Sequence, residues 1–578
     1  MNTQWKINTL SDVDRQKAQE LAQQMSLHPV VARLLVQRGI TNPQEAKTFF
    51  APSMSELHDP FLMPDMQKAI DRINNAVRHR EKIMIYGDYD VDGTTAVSLV
   101  YKVLLNIISP SYLGYYIPDS DDEGYGISFK GVEHAANNGF TLIIALDCGI
   151  KAIDKVTYAS RLGVDVIICD HHTPDDQLPQ AVAVIDAKRA DSVYPYPDLS
   201  GCGVGFKLMQ AFMIANGMDL QIVYDQLDLV AVSIAADIVP MTGENRLLAI
   251  YGLKRLNEQP NHGLQALINI CNLNERINGR IRTINVSDVI YKIGPRLNAS
   301  GRMMRGHESV ELLIADSLEE ATRKSREIDN HNNERRELDR TITKTATELL
   351  DKVDMTDMKI IMVYNPAWHK GVIGIVASRL AERYCRPSIV LTKSNGLITG
   401  SARSYADFDI YSAIDHCREY LENFGGHPFA AGLSIKEGCY DAFKEKIERY
   451  AAQHPKSSTI KPTQLIDEVI SFRDIGLDLW RDLCRMEPFG PENPKPVFCS
   501  YNVYDRASKL VGRNKEHLRI DAIDATCRIC TGIAFSKGHY YDFIRNQVFS
   551  MCYHIEKNDF PSNDALQIMV KGIKISQE

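Results

Sequence analysis

The stretch KIMIYGDYDVDG, residues 82–93, combines an apolar run with three aspartates in five positions. KIMIY is rich in apolar and β-branched residues and predicts a buried strand. The segment TTAVSLVYKVLLNI, which follows Gly93, has apolar residues at helical spacing. We therefore expect Asp88, Asp90 and Asp92 at a strand-to-helix turn, on the edge of an open α/β sheet where ligands bind.

Three interpretations of this turn are possible: a calcium EF-hand loop, a solvated polar turn, and one wall of a metal site. An EF-hand loop needs a bidentate glutamate at its twelfth position and a helix before it. Counted from Asp88, the twelfth residue is Leu99, and the preceding segment is strand-like. The calcium loop is thereby excluded. Aspartate and glycine are ordinary turn residues, so the motif alone slightly favours a solvated turn.

Chain length and composition limit the class of protein. With 578 residues, 44% hydrophobic and 24% charged, the chain is expected to form several globular domains. No stretch approaches the roughly 18 consecutive apolar residues of a membrane span. The N-terminal MNTQWKINTL lacks a signal-peptide pattern, and the 12 cysteines are scattered. These features predict a cytoplasmic protein with free thiols and no membrane association.

The charge distribution is uneven. A net charge of −8 argues weakly against nucleic-acid binding. A basic strip, however, contains seven cations and the single acid Asp288. A solvated charged face would look the same, so charge alone leaves phosphate binding open. The cations of this strip are Arg276, Arg280, Arg282, Lys292, Arg296, Arg302 and Arg305.

The order of helical and strand patterns predicts an α/β protein with two α/β domains joined by a long helix, followed by a small C-terminal β-barrel. Alternating strands and helices after residue 80 indicate parallel βαβ units. A polar helix that starts near the capping box of Ser317 and Glu320 would connect the two domains. The predicted boundaries are 1–75 (helical), 76–315 (first α/β domain), 316–354 (connecting helix), 355–455 (second α/β domain) and 465–578 (barrel).

Acids and imidazoles follow three of the predicted strands. KIMIY leads into the aspartate turn, TLIIAL into Asp147, and VDVIIC into Asp170, His171 and His172. Parallel strands deliver these side chains to one edge, where crowded carboxylates repel unless a cation lies between them. Asp237 ends the apolar segment VAVSIAAD and also needs a partner. The combination favours a metal site over solvated turns.

The donor set indicates which metal this site would hold. It is rich in oxygen, has one or two imidazoles and lacks thiolates, which suits Mn²⁺ or Mg²⁺, with Mn²⁺ favoured by the histidine. Five or more such groups exceed what one ion usually needs. Two ions about 3.5–4 Å apart would share them, which is the arrangement for phosphoester cleavage.

Several strings resemble the successive motifs of the DHH phosphoesterase superfamily: DYDVDG, LDCG, DHH and AADIVP. Others resemble, in order and spacing, the RecJ family of single-strand-specific exonucleases within it. These are IGPRLNASGRM (293–303), WHKGVIGIVASRL (368–380), GSARS (400–404), FGGHPFAAG (424–432) and PFGPENPKPVF (488–498). The resemblance covers residues 75 to 500 closely and the barrel loosely.

The resemblance implies a DHH catalytic domain, a DHH-associated substrate domain and an OB-like barrel. It also implies a Mn²⁺- or Mg²⁺-dependent hydrolase with two ions that degrades single-stranded DNA from the 5′ end to mononucleotides, in DNA repair and recombination. His172 would contact the scissile phosphate, with a purely structural histidine as the alternative, and Asp170 would orient a neighbouring ligand. The implied metal ligands are Asp90, Asp92, Asp147, His171 and Asp237, with Asp88 as a ligand or a support.

The same resemblance implies two sets of substrate contacts. In the string GPRLNASGR, read as a loop, Arg296, Asn298 and Arg302 would contact phosphates. In the second α/β domain, Ser401, Arg403 and His427 are candidates for gripping the 5′ end. Gly425 and Gly426 would let the backbone approach a phosphate closely.

Some positions depart from the family pattern or remain ambiguous. Ser120 stands where an arginine is expected, between Asp119, Asp121 and Asp122, and Tyr86 replaces a ligand histidine of more distant relatives. The turn GCGVGFK (201–207) would either cradle phosphate or serve tight packing. Tyr501, Tyr504 and Phe535 of the barrel would either stack on bases or belong to its core.

Three functions are compatible with these features. The leading hypothesis is a 5′-to-3′ exonuclease on single-stranded DNA, acting as a monomer, with a helicase and a single-strand-binding protein as partners. The second is a nuclease for very short RNA or a cyclic-dinucleotide phosphodiesterase, although the additional ~200 residues favour a polymer substrate. The third is a DNA-binding scaffold with a decayed core, which the intact ligand motifs disfavour.

Overall fold

The computed structural model describes residues 4–119, 123–277, 280–303, 306–355, 358–394, 396–454, 463–545, 547–558 and 565–575. The chain divides into two compact units. The first comprises Met1–Tyr116, Gly126–Gly294 and Thr463–Glu578, and the second comprises Ile117–Tyr125 and Pro295–Pro462. Among the described residues, no helix is both long enough and apolar enough to cross a membrane.

The N-terminal part of the first unit is mainly helical, as its amphipathic pattern predicts. Ser11 accepts a hydrogen bond from Asp14 N at the start of the first helix, and Asn42 accepts one from Glu45 N at the third. Such N-caps satisfy backbone donors that have no partner inside the helix. The elements are β1 (Gln4–Ile7), α1 (Asp12–Met25), α2 (Pro29–Gln37), α3 (Pro43–Phe50) and α4 (Met66–His79).

A five-stranded parallel sheet follows, in the order β3-β2-β4-β5-β6. Its central strands are apolar because they are buried; Ile83, Met84 and Ile85 have no exposed surface. The four predicted strands are confirmed, whereas the edge strand β3 is too short to show a periodic pattern. The elements are β2 (Lys82–Gly87), α5 (Val91–Leu105), β3 (Leu113–Tyr116), α6 (Phe129–Asn137), β4 (Phe140–Leu146), α7 (Ile153–Arg161), β5 (Asp165–Cys169) and β6 (Ala183–Ile185).

A helical layer completes this part of the first unit. Ser200 caps the first of these helices by accepting a hydrogen bond from Gly203 N. The helix Leu227–Ala236 is buried on nearly all sides, which explains why its residues are apolar except for Asp228 and Ser233. The elements are α8 (Gly201–Ala215), α9 (Gln221–Tyr224), α10 (Leu227–Ala236), α11 (Gly243–Glu258), α12 (His262–Ile270), β7 (Arg276–Ile277), β8 (Arg280–Ile281), α13 (Val286–Asp288) and a π-helical turn (Val289–Ile293).

The second unit contains the long helix and a mixed sheet of order β12-β13-β11-β10-β9, in which β9 and β10 are parallel and the other neighbours antiparallel. Ser317 caps the long helix by accepting a hydrogen bond from Glu320 N, which is the serine half of the predicted capping box. The elements are α14 (Gly294–Met303), α15 (His307–Leu313), α16 (Leu318–Leu350), β9 (Ile361–Tyr364), α17 (Lys370–Tyr384), β10 (Ser388–Ser394), β11 (Leu397–Arg403), α18 (Ile410–Asp415), β12 (Leu421–His427), β13 (Ala430–Ile435) and α19 (Tyr440–Gln453).

The string GPRLNASGR, predicted as a loop, is the helix α14. That prediction was wrong because it read proline and glycine as loop formers. Pro295 lies in the first turn of α14, where proline is tolerated. Residues four apart share a helix face, so α14 places Asn298 and Arg302 side by side.

The C-terminal part of the first unit closes into a barrel. The strands pair in the circuit β16-β20-β21-β19-β18, and β18 pairs back with β16. A closed five-stranded barrel is the architecture of the OB-fold, as predicted. The elements are β14 (Thr463–Ile466), β15 (Glu468–Val469), α20 (Leu477–Cys484), β16 (Phe498–Asp505), β17 (Lys509–Val511), β18 (His517–Ile523), β19 (Ile529–Ala534), α21 (Tyr541–Ile544), β20 (Phe549–Lys557) and β21 (Leu566–Ile575).

Candidate metal centre and phosphate-binding residues

Three neighbouring strands bring acids and imidazoles to one edge of the parallel sheet. The strands β2, β4 and β5 are adjacent, and each ends directly before predicted site residues. The end of α10 adds a further carboxylate. The residues concerned are Asp88, Asp90, Asp92, Asp147, Asp170, His171, His172 and Asp237.

His171 lies at the centre of this set. Its Nε2 atom is 3.1 Å from Asp147 Oδ1, 3.7 Å from Asp92 Oδ2 and 3.8 Å from Asp237 Oδ2. Ligand atoms bound about 2.1 Å from one octahedral ion lie roughly 3 Å apart, so these spacings suit shared coordination. Ligand atoms of Asp92, His171 and Asp237 lie within 4.8 Å of one another, as do those of Asp147, His171 and His172.

The protonation state of His171 is also compatible with binding of a cation by its Nε2 atom. Its Nδ1 lies 3.1 Å from Leu199 O, and because a carbonyl only accepts, Nδ1 carries the proton. The lone pair of Nε2 therefore faces the carboxylates. Burial lowers the pKa of His171, which further favours the neutral ring. A nitrogen lone pair among carboxylates is unfavourable unless a cation lies between them.

Asp92 is held by three hydrogen bonds from distant parts of the chain. Gly201 N donates to Oδ2 at 2.7 Å, and Cys202 N donates to Oδ1 at 2.7 Å. Ser233 Oγ donates to Oδ1, also at 2.7 Å. The first two donors form the N-terminus of α8, where a helix attracts negative charge. This carboxylate is therefore rigidly placed before any ion binds.

The glycine-rich turn GCGVGFK has the second of its two predicted roles, tight packing. Its helix N-terminus binds the carboxylate of Asp92, as described above. A Cβ atom on Gly201 would lie 2.6 Å from Asp147 Cβ, so only glycine permits this approach. Sequence reasoning missed Ser233, whose hydroxyl also contacts Ser200 at 2.6 Å. A lone serine inside the apolar helix α10 was the available signal.

Asp88 and Asp90 border the site on the other side. Asp90 caps α5, because its Oδ1 accepts from Gly93 N at 3.0 Å. The Oδ1 atom of Asp88 is buried and accepts no hydrogen bond from the described residues. Burial and then the charge of Asp90 raise the pKa of Asp88 well above its ordinary value. An orphaned, buried carboxylate oxygen at this edge also fits a cation.

Burial and mutual repulsion also raise the pKa values of the other carboxylates at this edge. Burial, followed by the charges of Asp92, Asp90 and Asp88, raises the pKa of Asp147. Burial and the charges of Asp92 and Asp90 raise the pKa of Asp237 to about 8. A bound cation reverses such shifts. The residues therefore fit the predicted divalent metal ions.

Asp170 and His172 form a separate pair beside this set. Asp170 Oδ1 accepts from His172 Nδ1 at 2.7 Å and from the backbone nitrogen of His171 at 2.8 Å. Burial opposes ionisation of Asp170, but the hydrogen bond and charge of His172, the backbone nitrogen of Ile150 and the charge of His171 together outweigh it, and the pKa falls to about 2. Burial lowers the pKa of His172, yet the same hydrogen bond and the charges of Asp170, Asp237 and Asp92 together raise it overall. Asp170 thus orients His172 directly and favours its protonated form.

Tyr86 occupies the position where more distant relatives of the superfamily were expected to carry a ligand histidine. Its hydroxyl donates to Gly126 O at 3.0 Å and accepts from Ser128 N at 3.2 Å. Its ring stacks on Tyr116 at 5.4 Å between centroids. The side chain therefore fills the core under the site.

In the second unit, three arginines come together. We call Arg302, Arg335 and Arg403 the arginine cluster. Burial and then the charge of Arg302 lower the pKa of Arg403, and the same two causes come first in lowering that of Arg335. Arg403 donates to Ser401 Oγ at 2.9 Å, so two predicted substrate residues already touch. Arginines that crowd together in this way favour a bound anion.

The other predicted substrate residues have different surroundings. Arg296 donates to Asp329 Oδ1 at 2.8 Å, which is the ion-paired arrangement that competes with phosphate binding. Gly425, Gly426 and His427 are exposed on β12. Gly426 has φ +147, and a Cβ there would lie 2.3 Å from Ala430 O. Ser120, Asp121, Asp122 and Arg305 lie outside the described residues.

Sequence reasoning missed two features of the second unit. Arg335, on the polar helix α16, has a buried Nε that finds no hydrogen-bond partner in the described part of the chain. Phe429 is 72% exposed between β12 and β13. Arg335 was missed because the sequence of α16 contains many charged residues that look alike. Phe429 was missed because a phenylalanine near predicted strands is normally expected in the core.

The barrel presents aromatic rings at its surface. Tyr501, Tyr504 and Phe535 are 44%, 48% and 52% exposed. The alternative that they belong to the barrel core is therefore wrong. Exposed rings on an OB-fold are available to stack on bases.

Comparisons with known proteins agree with this architecture. Family models match three segments: the N-terminal domain of the DHH family at residues 82–234, the DHHA1 domain at 357–453 and the RecJ OB domain at 466–572. The segments contain, respectively, the acid-lined sheet edge, the mixed sheet of the second unit and the barrel.

Curated relatives extend the similarity to nearly the whole chain. The single-stranded-DNA-specific exonuclease RecJ of Bacillus subtilis is 34% identical, over 98% of this chain and 70% of that protein. RecJ of Salmonella typhimurium is 30% identical, over 97% of this chain and 98% of that protein.

Solved structures show the same fold. A crystal structure of RecJ with Mn²⁺ from Thermus thermophilus superposes with a TM-score of 0.84 at 24% identity, covering 100% of this chain and 81% of that chain. A structure of exonuclease RecJ bound to manganese gives a TM-score of 0.60 at 29% identity, covering 71% of this chain and 98% of that chain. Taken with the curated relatives, this agreement shows that the chain belongs to the RecJ family of the DHH proteins.

Proposed function

We propose that this chain is a 5′-to-3′ exonuclease that hydrolyses single-stranded DNA to 5′-mononucleotides with two Mn²⁺ or Mg²⁺ ions. The observation that carries the proposal is the convergence of Asp92, Asp147 and Asp237 on His171 Nε2, at 3.1 to 3.8 Å. Relatives that cover nearly the whole chain are named single-stranded-DNA-specific exonucleases. The polarity and the mononucleotide product rest on family membership.

The side chains at the sheet edge would hold the ions. Asp92, Asp147, His171 and Asp237 supply the closest donor atoms. Asp90 and Asp88 complete the proposed ligand set from the β2–α5 turn. Bound there, two divalent ions would activate a water for attack on phosphorus and neutralise charge on the phosphoryl oxygens.

His172 would act on the substrate from beside these ligands. Asp170 holds Nδ1 of the ring and keeps its pKa above the ordinary value. The protonated ring can then donate from Nε2 to a phosphoryl oxygen. Such a donor strengthens as negative charge develops there in the transition state. Asp170 contributes by fixing the ring orientation.

The remaining predicted residues would bind the DNA strand. Arg302, Arg403 and Ser401 form the proposed grip on phosphate near the 5′ end, with Asn298 beside Arg302 on α14. Arg296, Gly425, Gly426 and His427 are further proposed substrate contacts. The exposed rings of the barrel would stack on bases without sequence preference.

Localisation and partners extend this proposal. A nuclease for single strands would act in the cytoplasm in DNA repair and recombination, as a monomer, on strands opened by a helicase and coated by a single-strand-binding protein. Size-exclusion chromatography with light scattering tests the monomer. Pull-down with purified candidates tests the two partners.

The test of the function uses 40-nucleotide single strands labelled separately at the 5′ and 3′ ends. With Mn²⁺, the wild type should release the 5′ label first, as a mononucleotide. Asp92→Ala should lower the rate by about 10³-fold or more, because it removes several kcal/mol of charge stabilisation, and should retain DNA binding.

The matched control is Asp228→Asn. Asp228 is equally buried on α10 and accepts from Asn261 N at 2.7 Å, outside the proposed ligand set. This variant should keep the wild-type rate. An intact strand after long incubation with wild-type protein and Mn²⁺ would show that the proposed function is wrong, and preserved cleavage by Asp92→Ala would remove Asp92 from the mechanism.

A further inference from the structure

The segment that carries Asp237 has a strained backbone. Ile238, the next residue, has φ +59, which is rare for a β-branched residue. Its side chain is 61% exposed, so its own packing cannot hold this conformation. Strained residues persist only where the surrounding structure determines them. Hydrogen bonds hold the chain on both sides of Ile238: Asp237 N donates to Ser233 O before it, and Pro240 and Met241 are bonded after it.

Asn245 holds Pro240. It lies in the first turn of α11, is fully buried, and its Nδ2 donates to Pro240 O at 3.0 Å. The same Nδ2 donates to Asp198 O at 2.5 Å. Asp198 directly precedes Leu199, whose carbonyl fixes His171, and Ser200, which contacts Ser233. One amide group thus ties the Asp237 segment to the segment that supports His171.

The PFGPEN loop holds Met241. We use this name for residues 488–493. Met241 N donates to Pro491 O at 2.8 Å. A Cβ atom on Gly490 would lie 3.0 Å from Met241 Cβ, so the loop packs directly on this residue.

The PFGPEN loop is itself held by two polar side chains. Asn493 Nδ2 donates to Met486 O at 3.0 Å and Pro488 O at 2.9 Å. Arg246, the neighbour of Asn245, donates to Met486 O at 3.0 Å, Glu487 O at 2.8 Å and Pro488 O at 3.1 Å. The guanidinium is almost fully buried and lies 3.9 Å from the ring centroid of Phe49. These bonds give a structural role to the string PFGPEN, which was noted in the sequence only for its family resemblance.

We infer that Asn245 and the PFGPEN loop are positioning residues for the metal centre. They fix the 237–241 segment, and with it the carboxylate of Asp237, in the place where it faces His171. A loop that leads into the barrel is therefore part of the catalytic unit. This inference rests on the proposed metal site, although its test does not require nuclease activity.

The test measures Mn²⁺ binding to the full-length protein by isothermal titration calorimetry. Asn245→Ala should weaken Mn²⁺ binding at least 10-fold, as is typical when a partner that orients a ligand is removed. Asn257→Ala is the control, because Asn257 lies on the same helix and its amide also bonds to the backbone. Its Oδ1 accepts from Ile284 N at 2.8 Å, and its Nδ2 donates to Ile284 O at 3.0 Å. Because Asn257 is exposed, its loss should lower the melting temperature less than Asn245→Ala does, and it should leave Mn²⁺ affinity unchanged.

A second variant keeps the inference testable if Asn245→Ala does not fold. Gly490→Ala pushes on Met241 and leaves every polar group in place, and it should weaken Mn²⁺ binding by about 3- to 10-fold. Wild-type affinity in a folded variant of either kind would overturn the inference. Wild-type protein that binds Mn²⁺ but leaves DNA intact would instead contradict only the proposed function.

Discussion

The metal centre of the first unit and the arginine cluster of the second both bring like charges together in partly or fully buried positions. The charges are negative in the first region and positive in the second. In the first, burial and mutual repulsion raise the pKa of Asp88, Asp147 and Asp237. In the second, burial and mutual repulsion lower the pKa of Arg335 and Arg403. The first region concentrates carboxylates, whereas the second concentrates guanidinium groups, with the buried Asp339 as an acid that attracts Arg335. The first is thus suited to cations and the second to phosphate.

The two regions differ in how their groups are held. Asp92 is fixed by two backbone nitrogens and a serine hydroxyl, all at 2.7 Å. Arg403 is held by Ser401 and by the carbonyl of Ala402, at the end of a long flexible side chain. Asp92 has a short side chain held by backbone hydrogen bonds, so its carboxylate is in place before a metal ion binds. A long guanidinium side chain can adopt more than one position around an anion.

The largest expected effect comes from removing charge in the metal centre. Asp147→Asn should lower the cleavage rate by about 10³-fold. Without metal, however, it should raise the melting temperature by about 2–4 °C, because it removes a repelled buried charge and because asparagine tolerates φ +58. Differential scanning fluorimetry in EDTA and in Mn²⁺ measures both states. A lower melting temperature in EDTA would mean that repulsion does not dominate this site.

A smaller effect is expected in the arginine cluster. Arg403→Gln should weaken binding of single-stranded DNA by about 10- to 100-fold, because a charge-assisted hydrogen bond is lost. The slope of log affinity against log salt should fall by about one. Fluorescence anisotropy at several salt concentrations measures both.

The control for the arginine cluster is Arg323→Gln. Arg323 is an exposed residue of α16 that pairs with Glu327 at 2.9 Å, and such pairs contribute little. Its loss should leave affinity unchanged. If both variants lost the same affinity for single-stranded DNA, the loss would be due to the change in net charge and not to the arginine cluster.

The smallest effect concerns a titrating group outside both regions. Burial lowers the pKa of His554, in the barrel, to about 4. The unfolded value is near 6.5, so protonation favours the unfolded state, and the stability present above pH 6.5 is lost as the pH falls towards 4. His554→Asn should flatten the dependence of melting temperature on pH between 4 and 7. If His554→Asn left the dependence of melting temperature on pH unchanged, the loss of stability in acid would come from the metal centre or the arginine cluster instead.

Much of the fold was predictable because it depends on local pattern. The strands KIMIY, TLIIAL and VDVIIC, the cap at Ser317 and the small barrel each follow from side-chain periodicity. The helix α14 was missed because proline and glycine tolerate a helix start as well as a loop. The glycine turn at residue 201 was ambiguous because its partner, Asp147, is more than 50 residues away.

The sequence by itself determined the chemistry: which acids and imidazoles follow the strands, and which ions suit them. Only the tertiary structure decided how those groups are supported. Ser233 and Asn245 act through contacts with Asp92 and Asp198, which lie far away in the chain, and such contacts leave no periodic signal. Local propensity acts over a few residues, whereas the restraint on a ligand comes from whatever the fold packs against it.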